Sequence, residues 1–388
     1  FTFFKLEIPE RRLISCLAFL RYCVREVYMK EKKYPNLGAT KNKPLIKPST
    51  LLQQIPLTAS ERDFIEDTRA QISRIIHNED DRMIVITGPC SIHDMNSALE
   101  YAELLKKTVN RFSDELLIIM RVYFEKPRTS LGWKGFINDP YLDDTFAIND
   151  GLRLARELLI QINKNKIPAG TEFLDHFVRK YISDAISWGA IGARTAESQI
   201  HRALGSSLPM PVGFKNSTDG NIQVAVDAVH TARESHHIFD IDDDGLAIIA
   251  ETYGNKDSHV VLRGSHTATN YDAHSIMHTF KSTTDNGLAP KIMIDCSHGN
   301  SQKNHINQQI VVHEVCRQLK EYSPLIAGVM LESHLLAGNQ PLKNKNELTY
   351  GQSITDACIS WDETVCLLEK LAAAVKMKRK NRHLLIPY

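Results

Sequence analysis

The sequence predicts an α/β fold: a TIM (β/α)8 barrel with an N-terminal helical extension and an inserted β-hairpin. Three observations lead there. Eight short, nearly continuous apolar runs recur along the chain. Longer stretches, several of them amphipathic, separate the runs. Each run carries or leads into a charged or reactive side chain at its C-terminal end. Strands that are apolar on both faces belong to a parallel sheet covered by helices. Eight βα units in about 250 residues suit a closed barrel. No GxGxxG follows the first run, which argues against a dinucleotide-binding doubly wound sheet.

The elements follow in order. Residues 1–28 hold an apolar run from Leu13 to Leu20, too short to span a bilayer, flanked by Arg11, Arg12 and Arg21. Glu7, Glu10 and Glu26 do not suit a transit segment, and Met29 with the lysines after it reads as a native start. Residues 1–28 are therefore expected to be upstream or artefactual sequence. Residues 29–57 are polar, with Pro35, Pro44 and Pro56, and read as an extended arm. From Thr58 the pattern turns helical. Ser60 to Asp63 give a start signal, and Phe64, Ile65, Thr68, Ile72, Ile75 and Ile76 recur at helical spacing. Arm and helix together occupy 29–80.

The barrel is expected over 81–377. Its strands are 83–88 (MIVITG), 116–124 (LLIIMRVYF), 169–174 (AGTEFL), 190–193 (AIGA), 210–216 (MPVGFKN), 259–264 (HVVLRG), 291–296 (KIMIDC) and 326–332 (IAGVMLE). Amphipathic helices are expected at 96–109 and 149–163, for example. Residues 237–241 and 246–253 flank three aspartates and Gly245, a hairpin signal placed before the sixth strand. Residues 378–388 remain as a C-terminal tail.

Composition narrows the function. The chain has 388 residues, 43% hydrophobic and 24% charged, which excludes disordered, collagenous and small disulfide-stapled classes. Net charge is +1, so no global basic field favours nucleic acid, and no run long enough for a membrane span was found. Seven cysteines, an odd number with no CxxC pair, point to a reduced, cytoplasmic setting.

In a closed barrel the strand C-termini converge on one mouth, where active sites lie. Two chemical sets meet there. Arg121, Lys126, Arg128, Arg194, Lys215 and Arg263 are cations suited to phosphate and carboxylate, so small, multiply anionic substrates are expected. The alternative for one or two of the six is pairing with Glu125, Glu172 or nearby aspartates. The second set is Cys90, His298, Glu332 and Asp356. Mixed thiolate, imidazole and carboxylate donors suit a divalent transition metal acting as a Lewis acid. A buried core thiol at Cys90 and a loop histidine at 298 are the alternative readings.

Several long segments carry a resemblance. They are GPCSIHD (88–94), MRVYFEKPRTSLGWKGFINDP (120–140), SWGAIGARTAESQ (187–199), PVGFKNSTDG (211–220), HVVLRG (259–264), MIDCSHGNS (293–301), GVMLESHLLAGNQ (328–340) and YGQSITDACISW (350–361). From about Thr58 to about Met377 the chain resembles the class I 3-deoxy-D-arabino-heptulosonate-7-phosphate (DAHP) synthases, the aromatic-regulated bacterial and fungal type. The resemblance implies a transferase that condenses phosphoenolpyruvate with erythrose 4-phosphate and water, yielding DAHP and phosphate, the first step of the shikimate pathway to aromatic amino acids. It implies Cys90, His298, Glu332 and Asp356 as ligands of a divalent metal (Mn, Fe, Co or Zn). It places phosphoenolpyruvate on Arg121, Lys126, Arg194, Lys215 and Arg263, and the aldose phosphate on Lys126, Arg128 and Thr129. Lys126 is the expected proton donor to the aldehyde oxygen, and Glu172 or a metal-bound water is expected to handle the attacking water. A homo-oligomer, dimer or tetramer, is also implied.

The alternative within the same chemistry is 3-deoxy-D-manno-octulosonate-8-phosphate synthase, which the KPRT segment (126–129) disfavours. Two departures stand out. After Gly264 the loop Ser265 to Tyr271 is one residue longer than the family's and lacks its proline. The aromatic effector site aligns with Arg179, Lys180, Tyr181 and Pro209, where the regulated members carry Pro-Gln-Tyr and a serine; weakened or altered inhibition is expected. Pro209 offers neither hydroxyl nor N–H.

Overall fold

The computed structural model describes residues 42–321, 325–342 and 345–381. The chain divides between Pro44 and Leu45, and everything below concerns the unit that begins at Leu45. The expected upstream segment 1–28 lies outside the described residues, as does most of the arm.

The last part of the arm is not simply extended: α1 spans Pro48–Gln54, with the proline in its first turn, where a missing N–H costs nothing. The next helix, α2 (Ala59–Ile76), starts one residue before Ser60 because Thr58 is its N-cap. The Thr58 hydroxyl accepts from the Glu61 amide, and the Glu61 carboxylate accepts from the Thr58 amide at 2.7 Å, a reciprocal capping box.

The barrel strands are β1 (Met83–Gly88), β2 (Leu116–Arg121), β3 (Ala169–Glu172), β4 (Trp188–Ile191), β5 (Val212–Lys215), β8 (His259–Leu262), β9 (Ile292–Asp295) and β10 (Ile326–Glu332), with the hairpin strands β6 (His237–Ile241) and β7 (Ala247–Glu251) inserted after β5. The eight close in the order β1-β10-β9-β8-β5-β4-β3-β2, every neighbouring pair parallel. All eight expected strands are present, and every strand residue of the barrel is buried. That is why no hydrophobic alternation marks them.

The helices that follow the barrel strands are α3 (Met95–Arg111), α4 (Ile148–Lys164), the single turn α5 (Arg179–Ile182), α6 (Gln199–Ser207), α7 (Gln223–Arg233), α8 (Ala273–Asp285), α9 (Gln308–Lys320) and α10 (Trp361–Asn381). The last runs past the expected boundary at 377: Lys378 is buried, and Arg379 bonds Asp81 at 2.6 Å.

Two apolar layers form. The larger lies between strands and helices. The smaller fills the barrel with Ile84, Ile86, Ile119, Trp188, Val261, Met293 and Met330, and includes Ile72, Ile75 and Ile76 from α2. Ser73 of α2 and His77, its C-cap, also bond the Asp257 carboxylate, at 2.8 and 2.9 Å, just before β8 begins. Helix α2 thus stoppers the N-terminal end of the barrel, and chemistry is left to the other end. No helix of the described residues is long and apolar enough to cross a membrane.

The hairpin pairs His237 with Glu251 through Ile241 with Ala247. Its tip lies against α1, where the Ser49 amide donates to the Asp243 carbonyl at 2.8 Å. On its outer face the cross-strand pair Phe239 and Ile249 is 90% and 76% exposed.

Candidate active site and metal centre

The C-terminal strand ends surround a cavity of about 290 Å³. Arg121, Lys126, Arg128, Glu172, Arg194, Lys215, Arg263, His298, Glu332 and Asp356 all line it. Two of the expected residues do not: Cys90 is wholly buried just behind the cavity wall, and Thr129 stands at the rim, its hydroxyl accepting from Arg194 Nε at 3.1 Å.

The cations are held from beneath. Arg121, at the end of β2, donates to the Pro89 and Cys90 carbonyls and to Glu332 Oε1 at 3.0 Å, and lies 3.5 Å over the Tyr123 ring. Lys215, at the end of β5, donates to Asp295 Oδ2 at 2.8 Å. Burial lowers the Arg263 pKa, with the nearby Arg194 charge acting in the same sense. A dianion entering this set replaces water with charge-assisted donors already in place.

Glu172 ends β3 and is largely buried. A Cβ on Gly192 would stand 2.2 Å from Glu172 Oε1, so the glycine at the end of β4 leaves room for that carboxylate at the mouth.

Opposite chemistry gathers at the β1–β10 seam. Ligand atoms of Cys90, Glu332 and Asp356 all lie within 4.8 Å of one another. His298 stands beside this trio, with Nε2 3.7 Å from Glu332 Oε1. Lys126 Nζ reaches Cys90 Sγ at 3.0 Å. Burial pushes the Cys90 thiol up to about 11, Glu332 adds to the rise, and Lys126 opposes it. Asp356 is held below the usual carboxylate range: burial works against its charge, and Lys126, His298 and Arg121 outweigh burial. A thiol, two carboxylates and an adjacent imidazole match the donor set of a divalent transition metal, and a cation at this point would supply the charge a buried thiolate needs. Gln308 fixes the Glu332 backbone from both sides, donating to its carbonyl and accepting from its amide at 2.9 Å each.

The loop after β8 departs in sequence yet is closely tied. Gly264 has φ +69, and a Cβ there would meet the Asn300 amide at 2.6 Å. The Ser265 hydroxyl accepts from the Ala268 amide at 2.8 Å, making a compact turn that absorbs the extra residue. Asn270 then accepts from the Gly264 amide and donates to Asn216. Arg263 keeps its place in the cavity wall.

Sequence reasoning did not assign a role to Asp295, Gln308 or Lys303. Asp295 is a strand end whose partners are other site side chains, and Gln308 acts on the Glu332 backbone from a helix, where it looks like an ordinary helix residue in sequence. Lys303 lies well beyond a strand end and reaches the cavity wall with φ +58. Cys296 is a core thiol whose sulfur faces its own strand's Ile294 carbonyl.

A second cavity, about 770 Å³, lies between α5, the segment after α6 and the hairpin. Arg179, Lys180 and Pro209 line it. Both cations turn to the buried Asp240: Arg179 pairs with it directly and Lys180 stands at 3.5 Å. Tyr181 is no wall of this cavity: its ring is buried, and its hydroxyl donates to the Ile46 carbonyl at 2.6 Å.

The sequence profile described as the DAHP synthetase I family matches residues 54–369. The Escherichia coli K12 phospho-2-dehydro-3-deoxyheptonate aldolase described as Phe-sensitive is 48% identical over 337 residues, 87% of this chain and 96% of that protein. The tyrosine-inhibited enzyme of the same name from Schizosaccharomyces pombe is 46% identical over 343 residues, 87% of this chain and 92% of the other. The solved structure of the Francisella tularensis phospho-2-dehydro-3-deoxyheptonate aldolase superposes with a TM-score of 0.86 at 50% identity, covering 88% of this chain and 99% of that one.

Proposed function

The chain belongs to the DAHP synthetase I family, and from that membership we propose that it condenses phosphoenolpyruvate with erythrose 4-phosphate and water to give DAHP and inorganic phosphate, the first step of aromatic amino-acid biosynthesis. The observation that carries the reading is the meeting of six cations with a thiol–imidazole–carboxylate set around one cavity.

Cys90, His298, Glu332 and Asp356 would hold a divalent cation. When bound, it supplies Lewis-acid polarisation of the aldehyde oxygen of erythrose 4-phosphate. Arg121, Lys126, Arg194, Lys215 and Arg263 hold the phosphate and carboxylate of phosphoenolpyruvate, and Arg128 and Thr129 hold the phosphate of the aldose. This clamping brings the nucleophilic C3 of phosphoenolpyruvate against the aldehyde carbon and stabilises the spread negative charge. Lys126 gives a proton to the aldehyde oxygen as the new C–C bond forms. Water adds at C2, with Glu172 taking its proton. The resulting phosphohemiketal expels phosphate by C–O cleavage, with the nearby cations holding the departing anion.

The second cavity is the effector site in this reading, and an aromatic amino acid is its ligand class. Asp240 already occupies both cations there, so an effector carboxylate competes with a buried ion pair. We expect weakened or altered inhibition on that ground. The reading also includes a homo-oligomer in which a second copy covers the exposed Phe239–Ile249 face.

Phosphate release, assayed with phosphoenolpyruvate and each aldose phosphate, tests the function. Turnover should need both erythrose 4-phosphate and a divalent metal. Equal turnover with arabinose 5-phosphate, or after thorough chelation, would refute the substrate or the metal assignment respectively.

A further inference from the structure

Asp295 ends β9 and is wholly buried. Its Oδ2 accepts from Lys215 Nζ at 2.8 Å and lies 2.9 Å from His298 Nδ1. Its Oδ1 accepts from the Ser297 amide at 3.0 Å and from the Ser297 hydroxyl at 2.7 Å. The same hydroxyl oxygen lies 2.7 Å from His298 Nδ1.

These contacts locate a proton. The serine hydroxyl has one hydrogen, and it points to a carboxylate that has none to give. Toward Nδ1, both the hydroxyl oxygen and Asp295 Oδ2 are therefore acceptors. In its neutral form the His298 ring must carry its hydrogen on Nδ1, which leaves the Nε2 lone pair on the side of Glu332. Imidazoles that ligate metals are commonly oriented this way, by a carboxylate on the far nitrogen.

Here the orienting carboxylate has a second charge. Lys215 lines the reaction cavity, and Asp295 Oδ2 holds it together with His298. One buried group serves the anion cradle and the metal side at once.

We propose that Asp295 is a positioning residue that couples the two half-sites, so that divalent metal and phosphoenolpyruvate tighten each other's binding through it. The proposal rests on reading His298 as a ligand and Lys215 as a phosphoenolpyruvate contact. A cation on Nε2 strengthens the Nδ1–H donor and draws Asp295 toward the imidazole. Lys215 is then freer to turn to an incoming anion. In the other direction, an anion that engages Lys215 leaves Asp295 to polarise the imidazole and raise its basicity at Nε2. By linkage the two effects are a single factor.

The test measures Mn(II) binding by electron paramagnetic resonance and phosphoenolpyruvate binding by calorimetry, each with and without the other ligand, for the full chain and for Asp295→Asn. No aldose phosphate is added, so nothing turns over. In the wild-type protein each ligand should tighten the other severalfold. Asn can present an NH2 to Nδ1 and lacks the charge. Metal affinity should therefore fall about 10- to 100-fold, phosphoenolpyruvate should also weaken, and the coupling factor should shrink toward one. A variant that keeps the factor, or that weakens one ligand only, overturns the proposal.

A second measurement needs no variant at Asp295. Phosphoenolpyruvate added to metal-free, 15N-histidine-labelled protein should shift the His298 ring nitrogens, assigned by their loss in His298→Ala. An unmoved His298 signal with phosphoenolpyruvate bound overturns the coupling. Wild-type protein that binds no Mn(II), or a His298→Ala variant that binds it unchanged, overturns the ligand reading and the proposal with it.

Discussion

Gly192→Ala separates catalysis from folding at one atom. The added Cβ would stand 2.2 Å from Glu172 Oε1 and 3.0 Å from its Cδ, and the third nearest atom, at 3.6 Å, is Oε2 of the same side chain. The φ of Gly192 lies outside the left-handed region, so alanine meets no left-handed strain. The clash is with the far end of a flexible side chain, which can swing aside at little cost in stability. To regain ordinary van der Waals separation, Oε1 must move by about 1 Å, a misplacement that costs roughly 100-fold when it shifts a reacting group. Steady-state phosphate release should show kcat falling about 100-fold, with KM for phosphoenolpyruvate changed far less, because the cations that bind it are untouched. Thermal denaturation should move by no more than about 3 °C. Unchanged kcat in a protein carrying the substitution would refute the placement of Glu172 in the reaction. A collapse of Tm would refute the claim that the clash relaxes through the side chain.

Three further outcomes are expected. Cys90→Ala should lose bound metal and activity while circular dichroism stays native, and Cys296→Ala should keep both metal and rate; metal analysis of the two purified variants checks this. Glu125 is pushed up to about 8 by burial, with Asp175 adding to the rise, so the folded state holds its proton more tightly than the unfolded chain does. Stability from this group is full below about pH 4.5 and falls as pH rises toward 8, and urea denaturation from pH 5 to 9 should show Glu125→Gln losing that part of the decline. Phenylalanine, tyrosine and tryptophan, titrated separately, should each inhibit weakly, and Asp240→Asn, which releases Arg179 and Lys180, should change the response; strong inhibition of the unaltered chain at sub-millimolar concentration would contradict the reading of the second cavity.

The barrel was legible because burial on both faces leaves unbroken apolar runs, and most of the site because its candidate residues sit at the ends of those runs or in the loops that follow them. Arg121, Lys215 and Glu332 are the last residues of their strands. What escaped acts at one remove. Asp295 is also a strand end, but its partners come from β5 and the loop beyond it, and only the closed barrel brings them together. The helix α1 was hidden by its proline, which suits a first turn as well as an extended arm. Tyr181 aligned as an effector wall, yet packing against the arm turns it inward. Alignment gives a position along the chain, not the direction in which a side chain points.

The closing pair of the barrel joins β1 to β10, with Gly88 opposite Glu332. Those strands come from the two ends of the barrel sequence, so their pairing completes a loop of nearly the whole domain and belongs among the slower, most non-local steps of assembly. Cys90 follows one strand of that pair, Glu332 ends the other, and Asp356 lies further along the chain, in the segment that leads into α10. The three donors therefore have no common location until the ring has shut. A metal ion held here would tie the first strand to the last like a clasp, and its binding free energy would be added to closure itself. Tight metal binding thus certifies a finished barrel, and a nascent or truncated chain that lacks the last strand cannot hold the ion at this site.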